Sequence, residues 1–199
     1  MNKSSIIAGA GWLSSVFIEL AKEVRRRGGS EEDLHRLATP DGRKTLEKMA
    51  QVIVAGTPQT FKVQVNYSQT LEEMIEEGNY DWVGSDITEN HFPLQGQGTQ
   101  EVEIHLFHFG RTMSNEAAEK EMEAKGFRPA TLPELLALGR DHPDLQKQFP
   151  IVSLGSVWRC PHANSNAPIL NRRGGERDLD LYWPELDWYG ECRFAAVRK

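Results

Sequence analysis

The stretch that constrains the fold most runs from residue 126 to residue 135 and has the sequence GFRPATLPEL. Thr131 followed three residues later by Glu134 is a capping box, in which the two side chains bind the free N–H groups at the start of a helix. Gly126 is typical of a helix end, because glycine readily adopts the left-handed conformation that closes helices. The stretch therefore predicts that one helix ends at Gly126 and that another runs from Leu132 to Leu138.

Before this stretch, the chain alternates between apolar and polar residues in two segments, which predicts two half-buried strands. A second capping box, Thr70 with Glu73, lies between them and predicts a short helix. In chain order the predicted elements are a strand at Phe61–Tyr67, a helix from Thr70 to Gly78, a long loop over Asn79–Gly98, a strand at Glu101–Phe109 and a helix at Ser114–Lys125.

After the helix that begins at Leu132, the remaining sequence predicts strands separated by turns that contain Gly, Asn and Pro. These strands are Ile151–Trp158, Pro168–Asn171, Leu179–Trp183 and Cys192–Val197. The last strand is apolar on both faces, so we expect it to pair inside the sheet. Strands and helices in this order indicate an α+β fold.

The first 56 residues predict three short helices and form a separate unit, so the predicted domains are residues 1–56 and 57–199. The helix signals are Gly28-Gly29 after the first helix, Ser30 as the cap of the second and Thr39-Pro40 at the start of the third. Units of fewer than about 70 residues rarely stabilise a core alone. We therefore expect this unit to dock on the rest of the chain or on a partner.

The charge distribution argues against binding to nucleic acid. The chain has a formal net charge of −6, and residues 57–151 carry −9 of charge against +2 and +1 in the two flanking segments. Proteins that follow a phosphate backbone need a basic surface. The two short basic runs, at residues 25–27 and 172–173, are too small to provide one.

The composition predicts an intracellular, cytoplasmic protein that does not enter a membrane. The apolar residues Leu13, Phe17, Leu20 and Val24 recur at helical spacing, which favours an amphipathic helix over a signal peptide. Two cysteines, Cys160 and Cys192, are too few for a disulfide framework. We favour two free thiols, although a single bridge between them is also compatible with the sequence.

Three segments together resemble a known family: SNEA at 114–117, GFRPATLPEL at 126–135 and CRFAAVRK at 192–199. They are similar to the C-type-lectin-like fold, in the branch shared by formylglycine-generating (sulfatase-modifying) enzymes and the variable proteins of diversity-generating retroelements. The resemblance covers about the last hundred residues. It implies a C-type-lectin-like domain that presents a binding face near its C-terminus. Because such folds bring their termini together, it also implies that the last strand pairs with an early strand of the same domain.

The chain differs from the family's enzymes and sugar-binding members at their metal-binding motifs, and these differences determine the expected function. Formylglycine-generating enzymes carry a closely spaced cysteine pair that binds copper, whereas Cys160 and Cys192 lie 32 positions apart here. Sugar-binding lectins carry Glu-Pro-Asn-like and Trp-Asn-Asp-like calcium motifs, where this chain has WPE at 183–185 and DW at 187–188. The resemblance therefore implies a non-enzymatic binding module with no cofactor. The alternative is a formylglycine-generating-type enzyme with a degenerate metal site.

The segment between Trp158 and Tyr189 is the candidate binding face, because it interleaves aromatic, arginine and small polar side chains. On the strand 179–183, alternation places Trp183 in the core and Tyr182 outside. A turn at 187–190 is expected to expose its two aromatic residues. The predicted ligand-binding residues are Arg159, His162, Asn164, Asn166, Asn171, Arg172, Tyr182, Asp187, Trp188 and Tyr189. The ligand is an unidentified protein or small molecule.

The histidines and the loop acids are weaker candidates for a functional site, since each set would have to bind a metal ion. His105 and His108 differ by three positions, which separates their side chains on a strand, whereas Glu103 and His105 share a face. We therefore expect neither histidine to bind a metal. Asp81 and Asp86 lie in the long loop, where acids usually cap turns, and a divalent-ion site is the minority interpretation.

Overall fold

A computed structural model describes residues 10–55, 59–159, 165–182 and 187–199. The chain divides into two compact units, Met1–Ile53 and Val54–Lys199. His162, Asn164, Cys160 and Trp183 lie outside the described residues. In the part of the chain that the structure describes, no helix combines the length and the hydrophobicity needed to cross a bilayer.

The described part of the first unit contains three helices, α1 (Ala10–Arg26), α2 (Glu31–Arg36) and α3 (Arg43–Ala55). A 3-10 turn at Pro40–Gly42 precedes α3, so the third helix begins later than Thr39-Pro40 suggested. Among residues 14–49, Gly42 alone is buried. Val16, Phe17, Ile18 and Leu46 are exposed apolar side chains of this unit.

The second unit contains three further helices and nine strands within the described residues. The helices are α4 (Leu71–Gly78), α5 (Asn115–Ala124) and α6 (Leu132–Asp141). The strands are β1 (Gln59–Asn66), β2 (Trp82–Val83), β3 (Thr99–Phe107), β4 (Phe127–Pro129), β5 (Ile151–Val152), β6 (Trp158–Arg159), β7 (Ser165–Arg173), β8 (Glu176–Tyr182) and β9 (Arg193–Arg198). The α+β class is therefore confirmed.

The last strand, β9, lies in the middle of a mixed sheet with the order β1-β3-β9-β5-β7-β8-β2. It pairs antiparallel with β3 and parallel with β5, and β4 pairs beside β5 on the same edge of β9. The expectation that the C-terminal strand is an interior strand is confirmed. The early strand that it pairs with is β3, which also pairs with β1.

Both faces of the sheet are covered, which explains why β9 is apolar on both sides. Ala195 belongs to the core cluster under α4 and α6, together with Ile104 and Leu106 of β3. Phe194 and Ala196 belong to the cluster under α5 on the other side. Because successive side chains of β9 point to opposite faces, this one strand contributes residues to both cores, and α5 and α6 lie on opposite faces of the sheet.

The predicted strand Ile151–Trp158 is wrong as one element, because it divides into β5 and β6 around Gly155. The N–H of Gly155 donates to the carbonyl of Ala130 at 2.9 Å, and a Cβ at Gly155 would collide with the backbone of Ala130. The chain therefore leaves the sheet here to pass close to the start of α6. Glycine is required at this close approach.

Arg177, on β8, is a buried cation that holds the ends of two helices. Its Nη1 donates to the carbonyls of Gly78 at 2.6 Å and Asn79 at 3.1 Å, where α4 ends. Its Nη2 donates to the carbonyl of Gly139 at 2.7 Å, near the end of α6. A positive charge is favourable at helix C-termini, where carbonyls lack partners.

The Tyr80 ring completes this contact by stacking against the guanidinium, whose carbon lies 4.8 Å from the ring centre. A Cβ at Gly78 or at Gly139 would collide with the Tyr80 side chain. Two helix-end glycines therefore make the space that this tyrosine occupies. Its burial raises the pKa of Tyr80, so the phenol stays neutral.

We expect Arg177→Leu to lower the free energy of unfolding by at least about 3 kcal/mol, because the helix-end carbonyls lose charged donors inside the protein. Arg172→Leu is the matched control, since Arg172 is exposed and lies directly across the β7–β8 ladder from Arg177. The control should change stability by less than about 0.5 kcal/mol. Urea unfolding followed by tryptophan fluorescence measures both; equal stability of the two variants would contradict this role of Arg177.

Candidate functional site

Trp188 is the anchor of the loop 187–191, and its predicted exposure is wrong. The residue is only 1% exposed. Its indole Nε1–H donates to Asn115 Oδ1 at 2.6 Å, and its backbone N–H and carbonyl both pair with Met113, at 2.8 and 3.1 Å. Because Asn115 supplies the acceptor that a buried indole requires, the whole ring can enter the core under α5.

Tyr189, the next residue, is 58% exposed. Its backbone is nevertheless fixed, because its carbonyl accepts the N–H of Cys192 at 3.1 Å. The carbonyl of Gly190 accepts a hydrogen bond from His108 Nε2 at 2.8 Å. Asp187 is also exposed. The loop therefore presents a tyrosine and a carboxylate from a rigid base, as predicted for these two residues.

The predicted outward place of Tyr182 is wrong, because this face of β8 is covered too. Tyr182 is half-buried and packs on the anchor, with its ring centre 4.8 Å from that of Trp188. Burial, followed by the neighbouring Tyr189 hydroxyl, raises the pKa of Tyr182. Tyr182 therefore links the end of β8 to the loop 187–191. The structure thus brings together Tyr182, Trp188 and Tyr189.

The other predicted residues do not form one face with this loop. Asn171 and Arg172 lie near the Gly174-Gly175 turn, four and five residues along the β7–β8 hairpin from Tyr182, which is about 13 and 16 Å. Arg172 is exposed, and Asn171 Oδ1 accepts the N–H of Arg172 at 2.8 Å. Arg159 is exposed at the end of β6.

Asn166 is buried, so its place on the predicted binding face is wrong. It lies near the start of β7, where it pairs with Trp158 of β6, and it is 1% exposed. No hydrogen bond reaches its Oδ1 among the described residues. The mixture of Asn with aromatic residues around Trp158 therefore belongs partly to the core and only partly to the surface.

The histidines have separate partners. His105 shares a face with Glu103, as predicted, and its Nε2 lies 3.0 Å from Glu103 Oε1. Burial lowers the pKa of His105 and of His108. His91 stacks on Trp158 with ring centres 3.9 Å apart. Within the described residues, no three His, Cys, Asp or Glu side chains cluster as a metal site.

The loop acid Asp81 has a structural role that the sequence did not specify. Its Oδ2 accepts the backbone N–H of Arg177 at 2.7 Å, and its own N–H donates to the carbonyl of Arg177 at 2.9 Å. Asp81 therefore caps a distant strand and not a turn of its own loop. This contact sets the first residue of β2 beside β8.

Cys192 is a buried thiol, and its burial raises the pKa to about 11. A raised pKa keeps the sulfur protonated at neutral pH, whereas nucleophilic and metal-binding cysteines require the thiolate. This environment favours a packing role for Cys192.

Sequence reasoning missed a cavity of about 510 Å³ at the start of α6. Glu134 forms its floor with a buried carboxylate that accepts four hydrogen bonds. The donors are Arg128 Nη2 at 2.6 Å, Arg128 Nη1 at 3.0 Å, the Thr131 backbone N–H at 2.7 Å and the Tyr67 hydroxyl at 3.3 Å. Burial, then the charge of Glu134, raises the pKa of Tyr67 to about 12, so the phenol remains a donor.

The capping box pointed to Glu134 but not to this cavity. The Thr131 hydroxyl lies near the N–H of Glu134, outside hydrogen-bonding geometry, so Glu134 makes the stronger half of the box. Tyr67 precedes Glu134 by 67 residues in the sequence, and Arg128 precedes it by six. No sequence pattern marks either contact.

Comparison of the chain with models of known protein families, with curated proteins and with solved structures found no match in any of the three.

We expect Trp188→Ala to lower the free energy of unfolding by about 3–5 kcal/mol, because it empties a core site and leaves Asn115 unpaired. Tyr189→Ala should change it by less than about 0.5 kcal/mol, since that side chain is exposed. Thermal and urea unfolding of both variants provide the measurement. Similar losses in both would show that Tyr189 is also part of the core.

We expect Cys192 to react slowly with iodoacetamide at pH 8. A thiol pKa of about 11 in place of 9 lowers the thiolate fraction about 100-fold. The measurement is mass spectrometry of Cys160→Ser, which leaves Cys192 as the single cysteine, in buffer and in urea. Equal rates under the two conditions would contradict the buried environment.

Proposed function

We propose that the second unit is a non-enzymatic binding module on a C-type-lectin-like scaffold, similar to the variable proteins of diversity-generating retroelements. The observation that carries the proposal is the loop 187–191, in which the buried Trp188 holds the exposed Tyr189 in one position. We call this segment the Tyr189 loop.

The architecture supports the choice of scaffold. In chain order the unit has an early strand pair, then helices α5 and α6, then strands that end in β9. The strand β9 closes the sheet against β3, as the family resemblance led us to expect. On this proposal the module works as the variable proteins do, with a fixed scaffold that displays the binding residues on its surface.

The Tyr189 loop has the physical properties of a binding hot spot. Tyrosine offers a large contact area and loses little rotamer entropy when it is bound. The backbone contacts of Trp188, Tyr189 and Gly190 are already in place, so little further ordering is required on association. Asp187 adds a charge at the rim that can select a partner.

The shape of the site favours a protein partner. Small molecules bind in concave sites that enclose most of their surface. Tyr189 instead lies on an open surface, 58% exposed and with its hydroxyl beside Tyr182, where its ring is accessible to a pocket on a partner. We infer that the partner presents such a pocket, inside the cell.

We expect immobilised protein to retain at least one cellular protein that Tyr189→Ala loses. A hot-spot tyrosine contributes about 2 kcal/mol or more, so its removal should weaken retention at least about 30-fold. Trp82→Ala is the matched control, since Trp82 is an aromatic residue of the same unit that is 41% exposed. Quantitative mass spectrometry compares the three samples; equal loss in both variants, or none in Tyr189→Ala, would refute the proposal.

A further inference from the structure

The cavity at the start of α6 has the size of a small-molecule site. Its volume is about 510 Å³, within the range of ligand pockets, about 300–1,000 Å³. The loop 91–96, the start of α6 and the segment 155–157 line it, together with Tyr67, Gln100 and Arg128. The Tyr189 loop does not contribute to this lining, so the cavity is a second and separate site.

Arg128 provides unused donors at this cavity. Of its five N–H groups, three donate to Glu134 and to the Pro129 carbonyl. The Nε–H and the second Nη2–H have no acceptor among the described residues. These two N–H groups point in parallel, an arrangement that one carbonyl oxygen can satisfy with its two lone pairs.

The electrostatics of the cavity favour a neutral molecule over an anion. Glu134 already neutralises Arg128 through two hydrogen bonds. A ligand carboxylate on the other edge of Arg128 would lie close to this buried negative charge, and like charges at short range repel strongly. The surrounding segment 57–151 carries −9 of formal charge and adds to the repulsion.

The rest of the lining combines carboxamides with aliphatic surface. Gln95 and Gln100 are exposed and can accept an N–H as well as donate. Leu94, Pro133 and Val157 provide apolar contacts, and Val157 is 39% exposed. An amide joined to an aliphatic group matches both features, because it offers an acceptor to Arg128 and a donor to a glutamine.

We propose that this cavity binds a small neutral amide with an aliphatic side group, oriented by the free edge of Arg128. Arg128 binds the carbonyl, Gln95 or Gln100 binds the N–H, and the aliphatic group contacts Leu94, Pro133 and Val157. Glu134 acts as a positioning residue, because it holds the guanidinium in place and neutralises its positive charge.

The test compares two probes that differ in one group, N-acetyl-leucine amide and N-acetyl-leucine at pH 7. NMR titration of the full chain follows the Arg128 Nε–H and the Val157 methyl resonances. We expect the neutral amide to shift both and to bind at least about tenfold more tightly than the carboxylate. If neither resonance shifts at millimolar concentrations of the amide, or if the carboxylate binds as tightly as the amide or more tightly, the proposal is overturned.

Variants outside the ion pair keep the test independent of folding. Val157→Asp should weaken binding of the amide about tenfold, because it replaces an apolar contact at the cavity rim. Val16→Asp is the same substitution at an exposed valine of the first unit and should leave binding unchanged. Tyr189→Ala should also leave it unchanged. Unaltered binding in Val157→Asp would place the amide elsewhere and overturn the assignment.

Discussion

The carboxylate of Glu134 is the interaction on which the centre of this structure depends. A buried negative charge is costly unless every lone pair finds a donor, and here four donors from three parts of the chain meet it. Tyr67 reaches it from the end of β1, Arg128 from β4 and Thr131 from the start of α6. The sheet, its short flanking strand and the helix are thereby fixed to one point.

The same helix is held by charge at its other end. Glu134 lies in the first turn of α6, where a negative group complements the partial positive charge of the helix dipole. Arg177 binds the Gly139 carbonyl in the last part of the helix, where a positive group is favourable. Two buried ionic groups of opposite sign therefore clamp a ten-residue helix whose apolar face fills the larger core. This clamp sets the position of the cavity wall.

Much of the second unit could be predicted from local patterns. The capping boxes at Thr70 and Thr131 depend on contacts between residues three positions apart. The strands β1, β3 and β9 could be predicted because their side chains alternate between two faces with a period of two. The division of β5 from β6 could not be predicted, because it depends on the distant carbonyl of Ala130. The sequence shows a glycine at position 155, but it does not show that this glycine lies against the backbone of Ala130.

The candidate sites show the same limit. Tyr189 was correctly predicted as exposed from its place in a turn, but Trp188, beside it, was misassigned. Its burial depends on Asn115, an acceptor 73 positions away. The cavity escaped prediction because Tyr67, Arg128 and Glu134 combine only after β1, β4 and α6 have assembled. Single residues in loops can be interpreted from sequence, whereas polar clusters joined across the fold cannot.

The central place of β9 has a consequence for how the protein is made. Residues 193–198 are translated last among the strands, yet they join β3 on one side to β4 and β5 on the other. Until they leave the ribosome, the β1–β3 pair and the β5–β7–β8 group have no shared strand, and their unpaired edges stay open. Assembly of this sheet should therefore wait until β9 has been synthesised, and the edges of the two strand groups need protection from wrong pairing until then.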